Sequence, residues 1–401
     1  MQNIYLFNPQ NDLALATGGI NYVAPPFALQ MAQDLAVLPA FIAEPGSLLI
    51  TDSDEDAQWL QWLNSTLGIA VRAIKRNDLR RLEGDYRVMP WGWCLDLRRR
   101  LVKWGARRDC LPSKDLIYHL RGLSHRRLSI NIHLRLRELL QGSCSLSDCP
   151  LPVELAVPEE VEAWVNNHPH CYIKSPWSSS GRGIYHATGG WTAEMEQWCR
   201  GALKKQGSVL CEVALNKVID FAVEFHVMGG KCRVSGYSIF NTDAHSQYRH
   251  GLVAPATELH GRITALYPEL DKVVAALSQV IDEMVAPHYT GWLGVDMMIY
   301  KEEVRGEKGG SKQQNTALRL NPCVELNLRP TMGAVTSRLG DMLLAPGITA
   351  TFSIEQRSSN TEPWPRHPQP VIEGGHLTGG TLCLTTASNQ ALYRAIVSVN
   401  P

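Results

Sequence analysis

The sequence has no net charge, because 39 lysines and arginines face 39 aspartates and glutamates. It therefore lacks the whole-chain field that would draw it to nucleic acid or to an acidic membrane. It has no run of 18 or more uninterrupted apolar residues, which excludes a simple transmembrane helix. The opening stretch, MQNIYLFNPQND, has no basic region followed by an apolar core, so no signal peptide is expected there. None of the ten cysteines forms a Cys-x-x-Cys pair. Cys144 and Cys149, the closest two, lie in a serine-rich stretch and give little support for zinc. Cys171, Cys211, Cys232 and Cys383 fall in apolar or strand-like runs and are expected as small core residues. A reduced, cytoplasmic setting is the expectation. No Gly-x-Ser-x-Gly elbow is present, so serine hydrolysis has no support. No His-Glu-x-x-His helix, no phosphate loop opening a helix with Gly-Lys-Ser/Thr, and no complete dinucleotide fingerprint occur either. Internal repeats are absent.

What is present is a soluble-type composition, 44% hydrophobic and 19% charged, in a chain of 401 residues that is long enough for two or three domains. The most informative stretch is Cys323-Val324-Glu325-Leu326-Asn327-Leu328-Arg329-Pro330. Strand side chains alternate, so Glu325, Asn327 and Arg329 share one face of a strand. Glu325 and Asn327 are hard oxygen donors of the kind Mg²⁺ prefers. Arg329 adds a fork of donors suited to phosphoryl or acyl-phosphate oxygens. The plainer alternative is a solvated strand face. Two further segments supply what a metal–nucleotide site would still need.

Cys171 to Lys174 is a short apolar run ending in a lysine, followed by Ser178, Ser179, Ser180, Gly181 and Gly183. Strand, small-residue loop, strand can lay backbone N–H groups over phosphate oxygens. A simple hairpin is the alternative. Thr290 to Tyr300 surrounds one acid, Asp296, with apolar residues. Such a carboxylate needs a cation, either a metal or a structural salt bridge. Asp296 and Glu325 fit adjacent strands joined by a long hairpin, and Lys301 to Asn315 reads as a mobile exposed loop.

Together these segments resemble the ATP-grasp superfamily over about residues 110–340. The resemblance matches Lys174 to the phosphate lysine and Ser178 to Gly183 to the loop over the phosphates. It matches Glu212, Val213 and Ala214 to the hinge whose backbone meets adenine, and Asp220 to the ribose-binding acid. Asp296, Glu325 and Asn327 match the Mg²⁺ (or Mn²⁺) ligands, and Arg329 the catalytic arginine. It also implies an extra cation from the loop holding His245 and His250, for which Arg249 is the candidate. Two positions depart from the pattern: Asp220 stands where glutamate is usual, and Gly294 where a basic residue is frequent.

Asn3 to Phe7, Ser47 to Thr51, Val71 to Ile74 and Tyr86 to Pro90 read as strands, with helices at Phe27 to Leu35 and Asp54 to Leu67. This alternation implies a small parallel sheet, with Asn8 and Asp12 at the carboxyl end of the first strand, where such sheets present ligand groups. A turn-capping pair is the alternative for these two. Further helices are expected at Thr192 to Lys205, Leu270 to Val285 and from Gly333 through Leu344. Phe221 to Val227, Lys231 to Phe240 and Val295 to Tyr300 read as antiparallel strands. The 356–370 stretch reads as loop, and Gly380 to Thr385 as the final strand. Residues 98–137 carry twelve basic residues against two acids, favouring solvated helices balanced elsewhere over a rim for an anionic substrate.

The expected architecture is therefore α/β and α+β, an ATP-grasp fold with a small N-terminal parallel-sheet domain. Its parts are 1–112, then 113–212 as linker helices and first ATP-grasp subdomain, then 213–401 as second subdomain and C-terminal extension. The resemblance implies an ADP-forming ligase that joins a small-molecule carboxylate to an amine or thiol through an acyl phosphate, using ATP and Mg²⁺. A small-molecule kinase and a non-catalytic ATP-binding protein are the alternatives. Neither nucleic acid nor membrane is expected as a partner, and the assembly is left open, a homodimer included.

Overall fold

The apolar run after Met1 forms the opening strand, β1 (Gln2–Leu6). The computed structural model describes residues 1–400 except 144, 145, 147, 148, 179, 180, 182, 245 and 305–314. Strand β1 leads into helices α1 (Asn11–Thr17) and α2 (Pro26–Asp34), then β2 (Leu48–Ile50). Ser53 caps α3 (Asp54–Leu67) by accepting from the Asp56 N–H, and three acids in its first turn complement the helix dipole. β3 (Arg72–Ile74), β4 (Tyr86–Pro90), α4 (Leu95–Trp104) and α5 (Lys114–Leu123) follow. The four strands are parallel in the order β3-β2-β1-β4, as the alternation of strands and helices implies.

Next come α6 (Arg127–Leu139), β5 (Val153–Leu155), α7 (Pro158–Asn167), β6 (His170–Lys174), β7 (Ile184–Thr188), α8 (Ala193–Gln206) and β8 (Val209–Val213). The strands form an antiparallel sheet ordered β5-β8-β6-β7. Cys171, Ile173, Ala187, Val209 and Cys211 are buried on one face with Val161, Val165, Met195 and Cys199 of the two helices. Alternation then sends Tyr172, Lys174, His186 and Glu212 to the other face, where Tyr172 stacks on His186 at 4.5 Å between ring centres.

β9 (Asn216–Met228), β10 (Lys231–Thr242), β11 (Tyr248–Val253), α9 (Ala256–Leu266), α10 (Leu270–Met284), β12 (Gly291–Val304) and β13 (Asn315–Asn327) complete the middle of the chain. β10, β9, β12 and β13 are antiparallel neighbours in that order. Helix α10 packs on β10 and α6 packs on β13. The chain closes with α11 (Met332–Leu343), β14 (Ala350–Gln356), β15 (Val371–Glu373), β16 (His376–Gly379), β17 (Thr381–Cys383) and β18 (Tyr393–Val399). β14 pairs antiparallel with β11 and β18, and β18 with β17.

Contacts divide the chain into two units. One holds Met1–Gly122, Arg249–Ala256 and Leu328–Pro401, and the other holds Leu123–Tyr248 and Thr257–Asn327. The sequence reading kept 213–401 together, whereas contacts place 328–401 with the N-terminal residues. Two expectations need correction. Tyr248 to His250 belong to a strand rather than a loop, and Gly380 to Thr385 is not the final strand, because β18 follows it. Lys301 to Val304 and Asn315 extend β12 and β13, and the rest of that expected loop lies outside the described residues. All described cysteines are free thiols; Cys171 and Cys211 are buried, and Cys232 and Cys383 half-buried. Cys144 of the serine-rich pair lies outside the described residues. Among the described residues no helix is long and apolar enough to cross a membrane.

Candidate active site

The register of the second unit brings its acids together. Asp296 on β12 faces Glu325 on β13 as a cross-strand partner. Asn327, two residues beyond Glu325, donates from Nδ2 to Asp296 Oδ2 at 3.1 Å, which leaves its carbonyl oxygen for another partner. Two carboxylates and a carboxamide are the oxygen donors a hard divalent cation takes. No group of three His, Cys, Asp or Glu residues suited to a metal occurs among the described residues; the third donor here is an amide.

The charge that Glu325 already carries is Arg126, just before α6. Its Nη2 lies 2.9 Å from Glu325 Oε1 and 3.0 Å from Oε2. Its Nη1 donates to the Ser175 carbonyl and to Ser178 Oγ, each at 2.6 Å. This buried guanidinium therefore ties the turn after β6 to the acid on β13. A buried arginine is costly unless its fork is satisfied; here both Nη1 hydrogens have acceptors and Nη2 faces the two oxygens of Glu325. Its Nε–H is buried with no partner among the described residues.

Lys174 ends β6 and is buried, and its ammonium lies 2.5 Å from the Glu212 carboxylate on β8. Glu212, expected to act through its backbone, thus contributes a side chain to the same face as Lys174. The Ala214 N–H donates to the His170 carbonyl at 3.0 Å and is committed to the sheet. The turn closes through the Ser175 N–H, which donates to the Gly183 carbonyl at 2.8 Å. Gly183 has φ +77°, and a Cβ there would sit 2.8 Å from that of Ser178, so glycine is required twice over. Gly181 is also left-handed, with φ +74°. Ser179 and Ser180 lie outside the described residues.

The Cys323 thiol is buried on β13. Burial is the first cause that pushes its pKa well above the ordinary value. The Asp296, Glu325 and Glu212 carboxylates push it further, and Lys174 opposes them. Arg126 joins the lysine side of the second unit, at Ser175 and Ser178, to the acid side at Glu325.

Asp220 on β9 is held by Lys217 Nζ at 2.5 Å and by the Thr242 hydroxyl at 3.3 Å. Further along β9, Glu224 is completely buried and accepts from Ser238 Oγ at 3.2 Å. Its register neighbours on both sides, Gly236 and Gly294, have no side chains, which leaves space for the carboxylate. Gly294, where a basic residue is frequent in the resembled family, thus stands beside an acid.

In the first unit, Arg329 Nε donates to Asp12 at 2.9 Å. Asn8 is buried and exchanges hydrogen bonds with the Gly92 backbone, donating at 2.8 Å and accepting at 3.2 Å. Asn8 therefore locks the end of β1 to the end of β4, while Asp12 reaches the arginine two residues beyond Asn327. Arg249 is exposed on β11; His245 lies outside the described residues.

Most of the basic segment is structural. Arg99 and Arg100 pair with Asp96, Arg127 with Glu154, and Arg135 with Glu138 and Glu283. Arg126 is the member that sequence reasoning missed, since nothing in Ser124-His125-Arg126-Arg127 marks which arginine turns inward.

No family model matches the chain, and no curated protein matches it. Solved structures do. Biotin carboxylase from Campylobacter jejuni, in a β,γ-ATP complex, aligns over 100% of this chain and 87% of its own, with TM-score 0.52 at 12% identity. Phosphoribosylamine–glycine ligase from Thermotoga maritima aligns over 99% of this chain and 92% of its own, with TM-score 0.52 at 10% identity. The chain has an ATP-grasp fold. Its parallel sheet, the β5-β8-β6-β7 sheet with the turn after β6, and the antiparallel β10-β9-β12-β13 sheet are the parts of that ATP-grasp architecture.

Proposed function

We propose that this protein is an ATP- and Mg²⁺-dependent, ADP-forming ligase that joins a small-molecule carboxylate to an amine or thiol. The observation that carries the proposal is the Arg126 bridge, which joins Glu325, beside Asp296 and Asn327, to the turn that follows Lys174 and its partner Glu212. Such a set has little other reason to be assembled in one place. Asp296, Glu325 and Asn327 would hold Mg²⁺, which supplies charge neutralisation for phosphoryl oxygens.

Within this reading Lys174 places a point charge on the phosphates, and the turn from Ser178 to Gly183 offers backbone N–H groups to them. Asp220 would take the ribose and the Glu212–Ala214 segment the base. Arg329 stabilises the group in transfer, and Asp12 orients its guanidinium. Arg249 would add a cation to the phosphates. The substrate carboxylate attacks the terminal phosphorus and ADP leaves; the acceptor then attacks the acyl carbon and phosphate leaves. No protein nucleophile takes part, since positioning and charge neutralisation do most of the work in phosphoryl transfer. The two ligase-type structures above support this reading at the level of fold.

ADP release, screened against pooled carboxylates and amines, tests the activity. Added hydroxylamine should yield a hydroxamate from the acyl phosphate. A stable phosphorylated product with no hydroxamate would make the protein a kinase instead.

A further inference from the structure

Arg126 sits where a resident cation and an incoming cation would compete. Its guanidinium takes both oxygens of Glu325 at 2.9 and 3.0 Å, and Glu325 is one of the three donors assigned to Mg²⁺ above. The other end of the same guanidinium holds the phosphate-type turn through the Ser175 carbonyl and Ser178 Oγ. Its own main-chain N–H donates to the Pro176 carbonyl at 3.1 Å, and the neighbouring His125 ring meets Trp177 edge-on at 4.5 Å. Residues 125 and 126 thus hold Ser175, Pro176 and Ser178, while the Gln206 amide holds Trp177, accepting from its N–H at 2.9 Å and donating to its carbonyl at 3.1 Å.

We infer that Arg126 is a latch: it occupies Glu325 in place of the metal and holds Ser175 and Ser178, and metal binding at Glu325 releases both. The inference rests on the metal reading of Asp296, Glu325 and Asn327. The guanidinium and a divalent cation are both positively charged, and where they approach the Glu325 oxygens from the same side they compete for them. When Glu325 turns to the metal, two of the four acceptors satisfying the guanidinium are lost, and a buried cation cannot stay with half its donors unmet. Among the described residues its Nε–H has no partner in the latched position. The guanidinium moves, and the Ser175 and Ser178 contacts go with it. Metal binding and opening of the turn are therefore one equilibrium, and the closed latch lowers the apparent metal affinity by the fraction of time it is closed.

Two readouts test this without turnover. The first is Mn²⁺ binding to nucleotide-free protein, followed by the paramagnetic resonance of free Mn²⁺. Arg126→Met should bind Mn²⁺ about tenfold more tightly than wild type, and Glu325→Gln should lose the site. The second needs no variant, so a folding defect in Arg126→Met does not remove it. Saturating Mg²⁺ should raise amide exchange in the 171–184 segment of the wild-type protein by about tenfold, because the Ser175 N–H bond to Gly183 belongs to the released turn. Equal Mn²⁺ affinity in wild type and Arg126→Met, or exchange in 171–184 that Mg²⁺ leaves unchanged, overturns the latch and leaves the metal site standing. Absence of Mn²⁺ binding in wild type and variant alike overturns the latch and the metal reading together.

Discussion

Lys174 and Glu212 lie 2.5 Å apart, both largely buried, and each is the other's counter-charge. Removing the lysine takes away the charge proposed for the phosphates and strands Glu212. Lys174→Ala should weaken ATP binding at least tenfold, about 1.4 kcal/mol, by calorimetry. Unchanged affinity would remove the turn after β6 from the site. His133 makes a different residue-scale prediction. It is buried on α6, with Nε2 3.1 Å from both Asn321 Oδ1 and the Cys323 carbonyl, so Nε2 carries a proton and the ring is neutral. Burial first, and the nearby Arg137 charge, lower its pKa to about 4 despite these two bonds. The folded pKa lies below the unfolded value near 6.5, so below that pH the unfolded chain takes up a proton that the folded chain refuses. Stability should therefore fall as pH drops from about 6.5 to about 4, by up to about 3 kcal/mol from this group. Urea unfolding at several pH values should show this part of the slope missing in His133→Asn. The spacing of Glu325 and Asn327 was legible because strand alternation alone decides which side chains share a face. Arg126 was not, because its role depends on a turn 50 residues away.

Two helical glycines separate packing from propensity at the scale of elements. On α11, a Cβ at Gly340 would sit 1.9 Å from the Ala254 carbonyl oxygen, so the helix lies against that backbone with no room for a methyl group. The Asp341 side chain, next in sequence, accepts from the Ala256 N–H at 3.0 Å and fixes the same approach. On α9, a Cβ at Gly261 would meet nothing within 4 Å. Gly340→Ala should cost about 1–3 kcal/mol by overpacking, while Gly261→Ala should gain about 0.5–1 kcal/mol through helix propensity. Melting midpoints moving in opposite directions would bear this out, and a stabilised Gly340→Ala would contradict the close approach. Long apolar-periodic helices such as Leu270–Met284 were readable, because their buried positions recur every three or four residues. β15 and β16, of three and four residues, contain too few positions for any period to show. β14 does alternate at Ala350, Phe352 and Ile354, so its signal was there to be found. The strand over Tyr248–Val253 was hidden by the polar run before it.

For the molecule as a whole, the chain leaves its first unit at Gly122, returns for Arg249–Ala256, and returns again at Leu328. Sequence reading divides a chain at composition changes and so cannot see these returns; Asn327 and Leu328 are adjacent in an unbroken apolar-alternating stretch. The consequence reaches the candidate site, since the proposed metal donors and Lys174, all in the second unit, come from segments far apart in sequence. A nucleotide that needs all of them binds only to the folded chain, and Mg²⁺-ATP should raise the unfolding midpoint, as any ligand specific to the native state does. The most direct test of the central claim is calorimetric titration of ATP, with and without Mg²⁺, into wild type and Glu325→Gln. The account predicts Mg²⁺-dependent binding in the wild type that loses its metal dependence in Glu325→Gln, with both proteins folded. Equal, metal-dependent binding in the two proteins, or no ATP binding by the wild type, would contradict it.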